Sequence, residues 1–161
     1  MKILIEEAKP EDAQDIYSLI VALAEYEEEP DAVCCSAADF ERQLRQENPP
    51  FRCFLASAEG RRIGFALYFL SYSTWRGRPC LYLEDLFVVP KHRRNGVGMA
   101  LMGALARVAQ REGCPRMEWS VLNWNQLAID FYLKIGAVPL TEWTRYRLEE
   151  EQISQLVGGD L

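Results

Sequence analysis

Apolar positions along the first fifty residues repeat at two different intervals, and each interval predicts one kind of element. The short run Ile3–Ile5 predicts a first strand. Lys9-Pro10-Glu11-Asp12 then opens a helix, because proline and acidic residues favour a first helical turn. Its apolar face recurs at helical spacing, at Ile16, Leu19, Ile20, Leu23 and Ala24. A second helix is predicted from an N-cap at Ser36 to Gln46.

The middle of the chain changes to strand-like runs and then returns to helical spacing. Three strands are predicted, at Phe51–Ala58, Ile63–Tyr72 and Cys80–Val89. The apolar positions Val97, Leu101, Leu105 and Val108 next predict a helix over Gly96–Glu112. The remaining predicted elements are a strand at Met117–Leu122, a helix at Asn125–Ile135, a strand at Trp143–Leu148 and a short helix in the tail Glu149–Leu161.

This order of elements predicts an α/β protein with one sheet of mixed strand directions. The 161 residues suit a single domain over positions 1–161. A net charge of −6 argues against nucleic acid as a partner, because its phosphates attract lysine and arginine. The same charge suits a cationic small molecule or peptide, or only provides solubility.

Cysteine and histidine usage narrows the compartment and the chemistry. Five cysteines without a C-x-x-C spacing are typical of reduced thiols, and one histidine is too few for a zinc site, so no metal is expected. The N-terminus lacks the apolar core of a signal peptide, and the longest apolar stretch, Ile63–Leu70, is too short to cross a bilayer. We therefore expect a cytoplasmic protein without membrane contact.

A glycine-bearing turn follows the strand Leu81–Val89. The pattern Arg93-x-x-Gly96-x-Gly98 places free backbone N–H groups and a helix N-terminus at the end of a strand, which favours binding of phosphate or pyrophosphate. Three nearby cations, Lys91, Arg93 and Arg94, fit that reading. The alternative is a tight turn with solvated basic residues. Neither the P-loop nor the dinucleotide-binding fingerprint occurs.

Two motifs resemble those of one large family. Arg93–Gly98 resembles the pyrophosphate loop of the GCN5-related N-acetyltransferase superfamily, and Asn125–Ala137 is similar to its N-x-x-A-x-x-F-Y-x-x-x-G-A segment. Within that superfamily, Leu23–Glu27, Tyr82–Val88 and Glu118–Asn125 resemble the spermidine/spermine and thialysine N-acetyltransferases. The resemblance implies one domain with a mixed, mostly antiparallel sheet of six to seven strands and about four helices. It also implies acetyl-CoA as the acetyl donor.

The resemblance assigns two catalytic residues. Glu84 would accept the proton of the amine, through water, and Tyr132 would protonate the departing sulfur of coenzyme A. A proton acceptor is needed because a lysine-like amine has a pKa near 10.4, so presenting it neutral at pH 7 costs about 4.6 kcal/mol. The structural alternatives are a carboxylate paired to an arginine and a core aromatic beside Phe131. Asp85 is expected on the opposite face of the strand, in a structural role.

The resemblance also assigns two sets of binding residues. Acetyl-CoA would contact Leu86, Phe87, Val88, Arg93, Arg94, Asn95, Gly96, Val97, Gly98, Met99, Asn125, Ala128 and Tyr132. In this set Leu86 supplies a backbone N–H to the thioester or pantetheine, and Leu86–Val88 pair with the pantetheine amides like an added strand. The amine would contact Tyr26, Glu27, Glu84, Glu118, Trp119, Ser120 and Glu142.

The predicted function is therefore acetyl transfer from acetyl-CoA to a primary amine, such as a diamine, a polyamine or a lysine-like amine. Two alternatives stay open, a protein or peptide N-acetyltransferase and a non-catalytic acyl-CoA sensor. The resembled enzymes form dimers, and the apolar residues Ile153, Leu156 and Val157 could serve a homodimer contact.

Overall fold

A computed structural model describes residues 1–158, and positions 159–161 of the predicted tail helix lie outside the described residues. The chain divides into two compact units, Met1–Ser120 and Val121–Leu161, which are described here one at a time. The expectation of a single domain over residues 1–161 stays a prediction.

The first unit contains the sheet and three α-helices. Its elements, in chain order, are β1 (Leu4–Glu7), α1 (Ala13–Tyr26), α2 (Ala37–Leu44), β2 (Arg52–Ala58), β3 (Arg61–Ser73), β4 (Arg78–Val88), α3 (Val97–Arg111) and β5 (Met117–Glu118). Short 3-10 turns lie at Pro10–Asp12, Pro30–Ala32 and Pro90–His92. The second unit contains α4 (Gln126–Lys134) and α5 (Glu150–Gly158).

The strands form one sheet in the order β1-β2-β3-β4-β5. Neighbours from β1 to β4 are antiparallel, and β5 pairs with β4 in parallel. This confirms the mixed α/β sheet. Within residues 1–158, however, there are five strands and five α-helices, so the prediction of six to seven strands overstates the number of strands, while about four helices is close to the number found.

Of the strands predicted from the sequence, one is absent from the described residues and another is shorter than predicted. The segment predicted as Met117–Leu122 pairs only at Met117 and Glu118, and no strand forms at Trp143–Leu148 in the described chain. A strand exists only where a second strand satisfies its backbone groups. Instead, Trp143 donates its N–H to the carbonyl of Leu140 in a turn, and its side chain is exposed. Hydrophobic spacing cannot show whether a partner is present.

The sheet buries apolar side chains on both faces. On one face α1 contributes Ile16, Leu19 and Leu23 to a cluster with Phe65 and Leu67 of β3. The amphipathic helix predicted for this segment is thereby confirmed. The α3 helix packs against β1 to β4 and buries the positions of its predicted apolar face, namely Val97, Leu101, Leu105 and Val108.

Arg62 anchors the start of α1 to the sheet. Its guanidinium contacts Asp12 Oδ1 at 2.6 Å and Asp15 Oδ2 at 3.1 Å, and it donates to Ser57 Oγ at 2.9 Å. These contacts fix the direction of α1 and so the place where its C-terminal end, Tyr26, meets the sheet. No helix among residues 1–158 has the length and apolarity that a bilayer span requires.

Candidate active site

The N-terminus of α3 forms a cradle of backbone N–H groups. Gly96 adopts a left-handed conformation with φ 82°, and Ala100 is the first residue to donate its N–H within the helix, to the Gly96 carbonyl at 2.9 Å. The N–H groups of Val97, Gly98 and Met99 precede that bond, and no side chain in the described chain caps this helix end. Such a helix end is suited to an anion, phosphate above all.

Three cations, Lys91, Arg93 and Arg94, precede this cradle, and they are not equivalent. Lys91 and Arg94 are exposed and are available to a phosphorylated ligand. Arg93 is half-buried, and its Nε donates to the carbonyl of Val88 at 2.9 Å. Asn95 donates to the carbonyl of His92 at 3.4 Å, which closes the turn. The exposed cations and the helix end together favour a pyrophosphate over a neutral ligand.

The edge of β4 next to the cradle is open. β5 pairs with β4 only at Leu81 and Tyr82, and the Tyr82 hydroxyl lies 3.3 Å from Ser120 Oγ just beyond that pairing. From Leu83 to Val88, the β4 edge opposite β3 faces no other strand in the part of the chain that the structure describes. This geometry suits the predicted pairing of an extended ligand with the backbone of Leu86–Val88. The Phe87 side chain is buried, so its predicted contact with acetyl-CoA would be through the backbone.

A β-bulge at Glu84 bears on the prediction for Asp85. Asp85 lies opposite Leu67 and Leu83 lies opposite Tyr68, so Glu84 is an extra residue without a partner on β3. The bulge interrupts the alternation on which the expectation for Asp85 relied. Asp85 shares the face of its register partner Leu67, which belongs to the cluster under α1. Strict alternation therefore does not hold at this point of β4, and the structural role expected of Asp85 stays a prediction.

Glu27, Glu84 and Asp85 form what we call the acid cluster. Burial and, to a smaller extent, the nearby carboxylates of Glu84 and Glu27 together raise the pKa of Asp85 to about 6. Partial burial also raises the pKa of Glu27, which lies directly after the last residue of α1. Because these carboxylates repel one another, a cation bound among them would be stabilised.

Three other predicted amine contacts lie at the end of the first unit. Glu118 forms an ion pair with Arg116, with Nε and Oε2 3.3 Å apart. Ser120 lies beside Tyr82. Trp119, which lies between Glu118 and Ser120 in the sequence, is half-buried. The carboxylate of Glu118 is therefore already matched by a positive charge, unlike the acid cluster.

The remaining predicted residues belong to the second unit. Asn125 caps α4 by accepting a hydrogen bond from the Ala128 N–H on its Oδ1 at 3.2 Å. Asn125, Ala128 and Tyr132 follow a spacing of three and four residues, so they share one helix face. The Tyr132 ring lies 5.5 Å from that of Phe131, and Glu142 is exposed outside any helix or strand. The roles of these residues stay predictions.

Asp85 is the residue that the sequence argument missed. Its signal in the sequence is two adjacent acids inside an apolar strand, which a strict alternation would place on opposite faces. The apolar run from Leu86 to Val89 hides the shift of register, because both faces of the strand carry apolar residues there. A bulge at the acid pair could have been considered on those grounds.

The fold and this site define a class, the α/β proteins that hold a phosphorylated ligand at the end of an open strand. The chain belongs to the acetyltransferase (GNAT) family, whose model matches residues 13–137. It is 39% identical to thialysine N-epsilon-acetyltransferase of Bos taurus, over 97% of this chain and 98% of that protein. It is 32% identical to spermidine/spermine N(1)-acetyltransferase-like protein 1 of Homo sapiens, over 92% of this chain and 23% of that protein.

A solved structure shares this fold. An integron cassette protein from the mobile metagenome of V. cholerae matches with a TM-score of 0.81 and 27% identity, over 98% of both chains. The protein is an acetyl-CoA-dependent N-acetyltransferase that acts on an amine. The sensor alternative, which lacks catalysis, receives no support from these relatives.

Proposed function

We propose that this enzyme acetylates the terminal amine of a short cationic molecule, of the thialysine or diamine type. The acid cluster carries the proposal, because burial and the mutual repulsion of its carboxylates raise the pKa of Asp85 to about 6. An ammonium group bound there would relieve that repulsion, whereas a neutral or anionic acceptor would not. The name and the 39% identity of the bovine relative support a lysine-like acceptor.

A short amine fits the described residues better than a long polyamine. A multiply charged chain needs several unmatched carboxylates along its length. Glu118 was expected to be one of them, but it is paired with Arg116 at 3.3 Å. The acid cluster is thus the one group of predicted amine contacts in residues 1–120 with clear mutual repulsion. It matches one ammonium group rather than a chain of them.

The proposed reaction is a direct transfer. The ammonium group gives up a proton towards Glu84 through water, and the neutral nitrogen attacks the carbonyl carbon of the thioester. A carbon–nitrogen bond forms, the carbon–sulfur bond breaks, and the thiolate takes a proton from the hydroxyl of Tyr132. The second proton that the nitrogen loses as the amide forms is passed through water to the Tyr132 phenolate and restores its hydroxyl. A backbone N–H at Leu86 would stabilise the negative charge on the carbonyl oxygen. The products are the N-acetylated amine and coenzyme A.

The test is thiol release from acetyl-CoA with a panel of amines. Thialysine and lysine form a matched pair, since the sulfur atom in the chain lowers the pKa of the amine but leaves its length nearly unchanged. We expect thialysine to give the higher kcat/KM, followed by short diamines, with spermidine weaker. Turnover of peptides but of none of these small amines would overturn the proposal in favour of a protein N-acetyltransferase.

Variants of the acid cluster separate binding from folding. Glu84→Gln and Glu27→Gln should each raise KM for the amine about tenfold or more, the effect of losing one charge-assisted contact. Glu25→Gln is the control, because Glu25 is exposed on the same helix. If KM for every amine stays at the wild-type value in both cluster variants, the acid cluster does not bind the substrate.

Tyr132→Phe tests the proposed proton donor. Removing the hydroxyl should lower kcat about a hundredfold, within the usual range for general acid catalysis. Acetyl-CoA affinity, measured by calorimetric titration, should change little because the aromatic ring remains. A variant with unchanged kcat at saturating substrates would exclude Tyr132 as the donor.

We also propose that the enzyme functions as a homodimer. The support lies in the second unit, where apolar side chains are exposed in a single chain, among them Val138, Trp143, Tyr146 and Val157. A second copy of the chain would remove them from water, and it could offer the partner strand that Trp143–Leu148 lacks. Sedimentation analysis should show a dimer that Trp143→Glu weakens. A wild-type monomer at micromolar concentration would contradict the proposal.

A further inference from the structure

Arg93 differs from the other basic residues of the cradle because its head group faces the protein. Its Nε donates to the carbonyl of Val88 at 2.9 Å. Its Cζ lies 4.1 Å from the centroid of the Tyr26 ring and 5.7 Å from that of the Phe87 ring. A guanidinium held by one hydrogen bond and two aromatic faces has a fixed position and orientation.

The partners of Arg93 come from two elements of the first unit, β4 and α1. Val88 is the last residue of β4, Phe87 is buried in the core cluster, and Tyr26 is the last residue of α1. The rings of Tyr26 and Phe87 lie 6.3 Å apart at 51°, which completes the stack. Glu27 of the acid cluster directly follows Tyr26. One guanidinium thus connects the start of the cofactor turn to the helix end that leads into the acid cluster.

The turn itself depends on such an anchor. Beyond Arg93 the backbone passes through left-handed conformations at Arg94, with φ 60°, and at Gly96, with φ 82°. For a residue with a side chain, that conformation is strained by about 1 kcal/mol and persists only where neighbouring contacts hold it. The hydrogen bond of Arg93 to Val88 and its stack on Tyr26 precede that strained step directly.

We propose that Arg93 is a positioning residue that couples the acetyl-CoA cradle to the amine site through its stack on Tyr26. In this arrangement Tyr26 acts on cofactor binding, although it lies outside the predicted cofactor contacts. The amine half of the coupling rests on the proposed function, whereas the acetyl-CoA half does not. Arg93 acts through the backbone of the turn and not as a direct phosphate ligand.

The first test is calorimetric titration of acetyl-CoA into Tyr26 variants, which needs no knowledge of the amine. Tyr26→Leu should weaken acetyl-CoA binding about threefold to thirtyfold, the range of cation–π contacts that are partly or fully desolvated. Tyr26→Phe keeps an aromatic face and should remain within about twofold of wild type. Arg107→Gln, an exposed change on α3, is the control for loss of positive charge.

The second test asks whether the two residues act together. In an Arg93→Gln background, Tyr26→Leu should cause less than about a twofold further loss of acetyl-CoA affinity, because the effects of substituting two residues in contact do not add. Arg93→Lys keeps the charge but not the planar stack, so it should weaken acetyl-CoA binding about as much as Arg93→Gln. With thialysine as acceptor, Tyr26→Leu should raise the KM for acetyl-CoA as well as the KM for thialysine.

The contrary outcomes are distinct. Unchanged acetyl-CoA affinity in Tyr26→Leu, or losses that simply add to those of Arg93→Gln, would overturn the coupling. If Tyr26→Leu does not fold, Arg93→Lys decides, since wild-type affinity in that variant would mean that charge alone matters. A higher amine KM in Tyr26→Phe would show instead that the hydroxyl binds substrate. If no amine of the panel is acetylated, the proposed function is refuted. The acetyl-CoA titrations would still test the cofactor half of the coupling.

Discussion

Replacing Asp85 by asparagine should stabilise the protein at neutral pH. In the fold, burial and the carboxylates of Glu84 and Glu27 raise the pKa of Asp85 to about 6. An aspartate in the unfolded chain has a pKa near 3.9, so the difference is about two units, or about 3 kcal/mol at 1.36 kcal/mol per unit. That free energy favours unfolding when Asp85 is ionised. Asparagine has the same shape without the charge.

The sign of the pH dependence follows from proton binding. Between about pH 4 and pH 6 the folded state binds more protons at Asp85 than the unfolded state does. The free energy of unfolding contributed by this group therefore falls as the pH rises through that window, and it stays low above pH 6. Part of the side chain still meets solvent, so a gain of about 2 kcal/mol is expected for Asp85→Asn at pH 8, with little gain at pH 4.

The assay is urea unfolding at fixed protein concentration from pH 4 to pH 8, followed by tryptophan fluorescence. In thermal unfolding, the same gain of about 2 kcal/mol corresponds to an increase in Tm of about 4 to 8 °C for a chain of this size. Asp31→Asn, at an exposed position, is the control and should show no pH-dependent difference. A difference between Asp85→Asn and wild type that is the same at pH 4 and pH 8 would refute the electrostatic account. The stabilised variant should bind the amine more weakly, because the charge it lacks serves the substrate.

Two further substitutions test how the sheet supports the site. Gly64→Ala would place a Cβ 2.6 Å from the carbonyl oxygen of Phe87, so we expect the free energy of unfolding to fall by about 1–3 kcal/mol and acetyl-CoA to bind more weakly. Gly103→Ala is the comparison: its added Cβ would lie 3.6 Å from the nearest neighbour, so the free energy of unfolding should rise by about 0.5–1 kcal/mol. Thermal unfolding measures the stability of the two glycine variants, and titration measures their affinity for acetyl-CoA. Equal effects of the two substitutions would exclude a specific clash at Gly64. Arg62→Gln should lower the free energy of unfolding by about 1–3 kcal/mol, because it leaves the carboxylates of Asp12 and Asp15 at the start of α1 without their positive partner. Arg61→Gln, at an exposed position, is the control and should change the stability little. Equal Tm values for the two variants would contradict this prediction.

Much of the first unit could be predicted because its elements depend on local pattern. The apolar face of α1 and that of α3 are both buried as their spacing indicates. The cap of α2 was also predictable, since the Ser36 N–H donates to Asp39 Oδ2 at 2.9 Å within one turn. The left-handed Gly96 follows from a glycine directly before an apolar helix. In each case the residues that decide the structure are neighbours in sequence.

The features that could not be predicted depend on residues far apart in sequence. The bulge at Glu84 arises from the register of β4 on β3, which no single strand contains. The ion pair of Arg62 with Asp12 joins residues fifty positions apart. The stack of Arg93 on Tyr26 likewise needs the packing of α1 on the sheet. Motif likeness located the cradle, but it could not show which cation of the turn points into the protein.

The bulge and the stack together explain how one short strand can serve two ligands. The bulge at Glu84 places Asp85 on the face of the sheet that packs on α1, where burial and the carboxylates of Glu84 and Glu27 raise its pKa to about 6. A few residues further on, the open edge of the same strand leads to the cradle, and Arg93 returns to hydrogen-bond its last carbonyl. In the function proposed above, the amine site and the cofactor site thus share the backbone from Glu84 to Val88. A displacement of that backbone should therefore change the KM of both substrates together, while a change confined to the acid cluster should affect the amine alone.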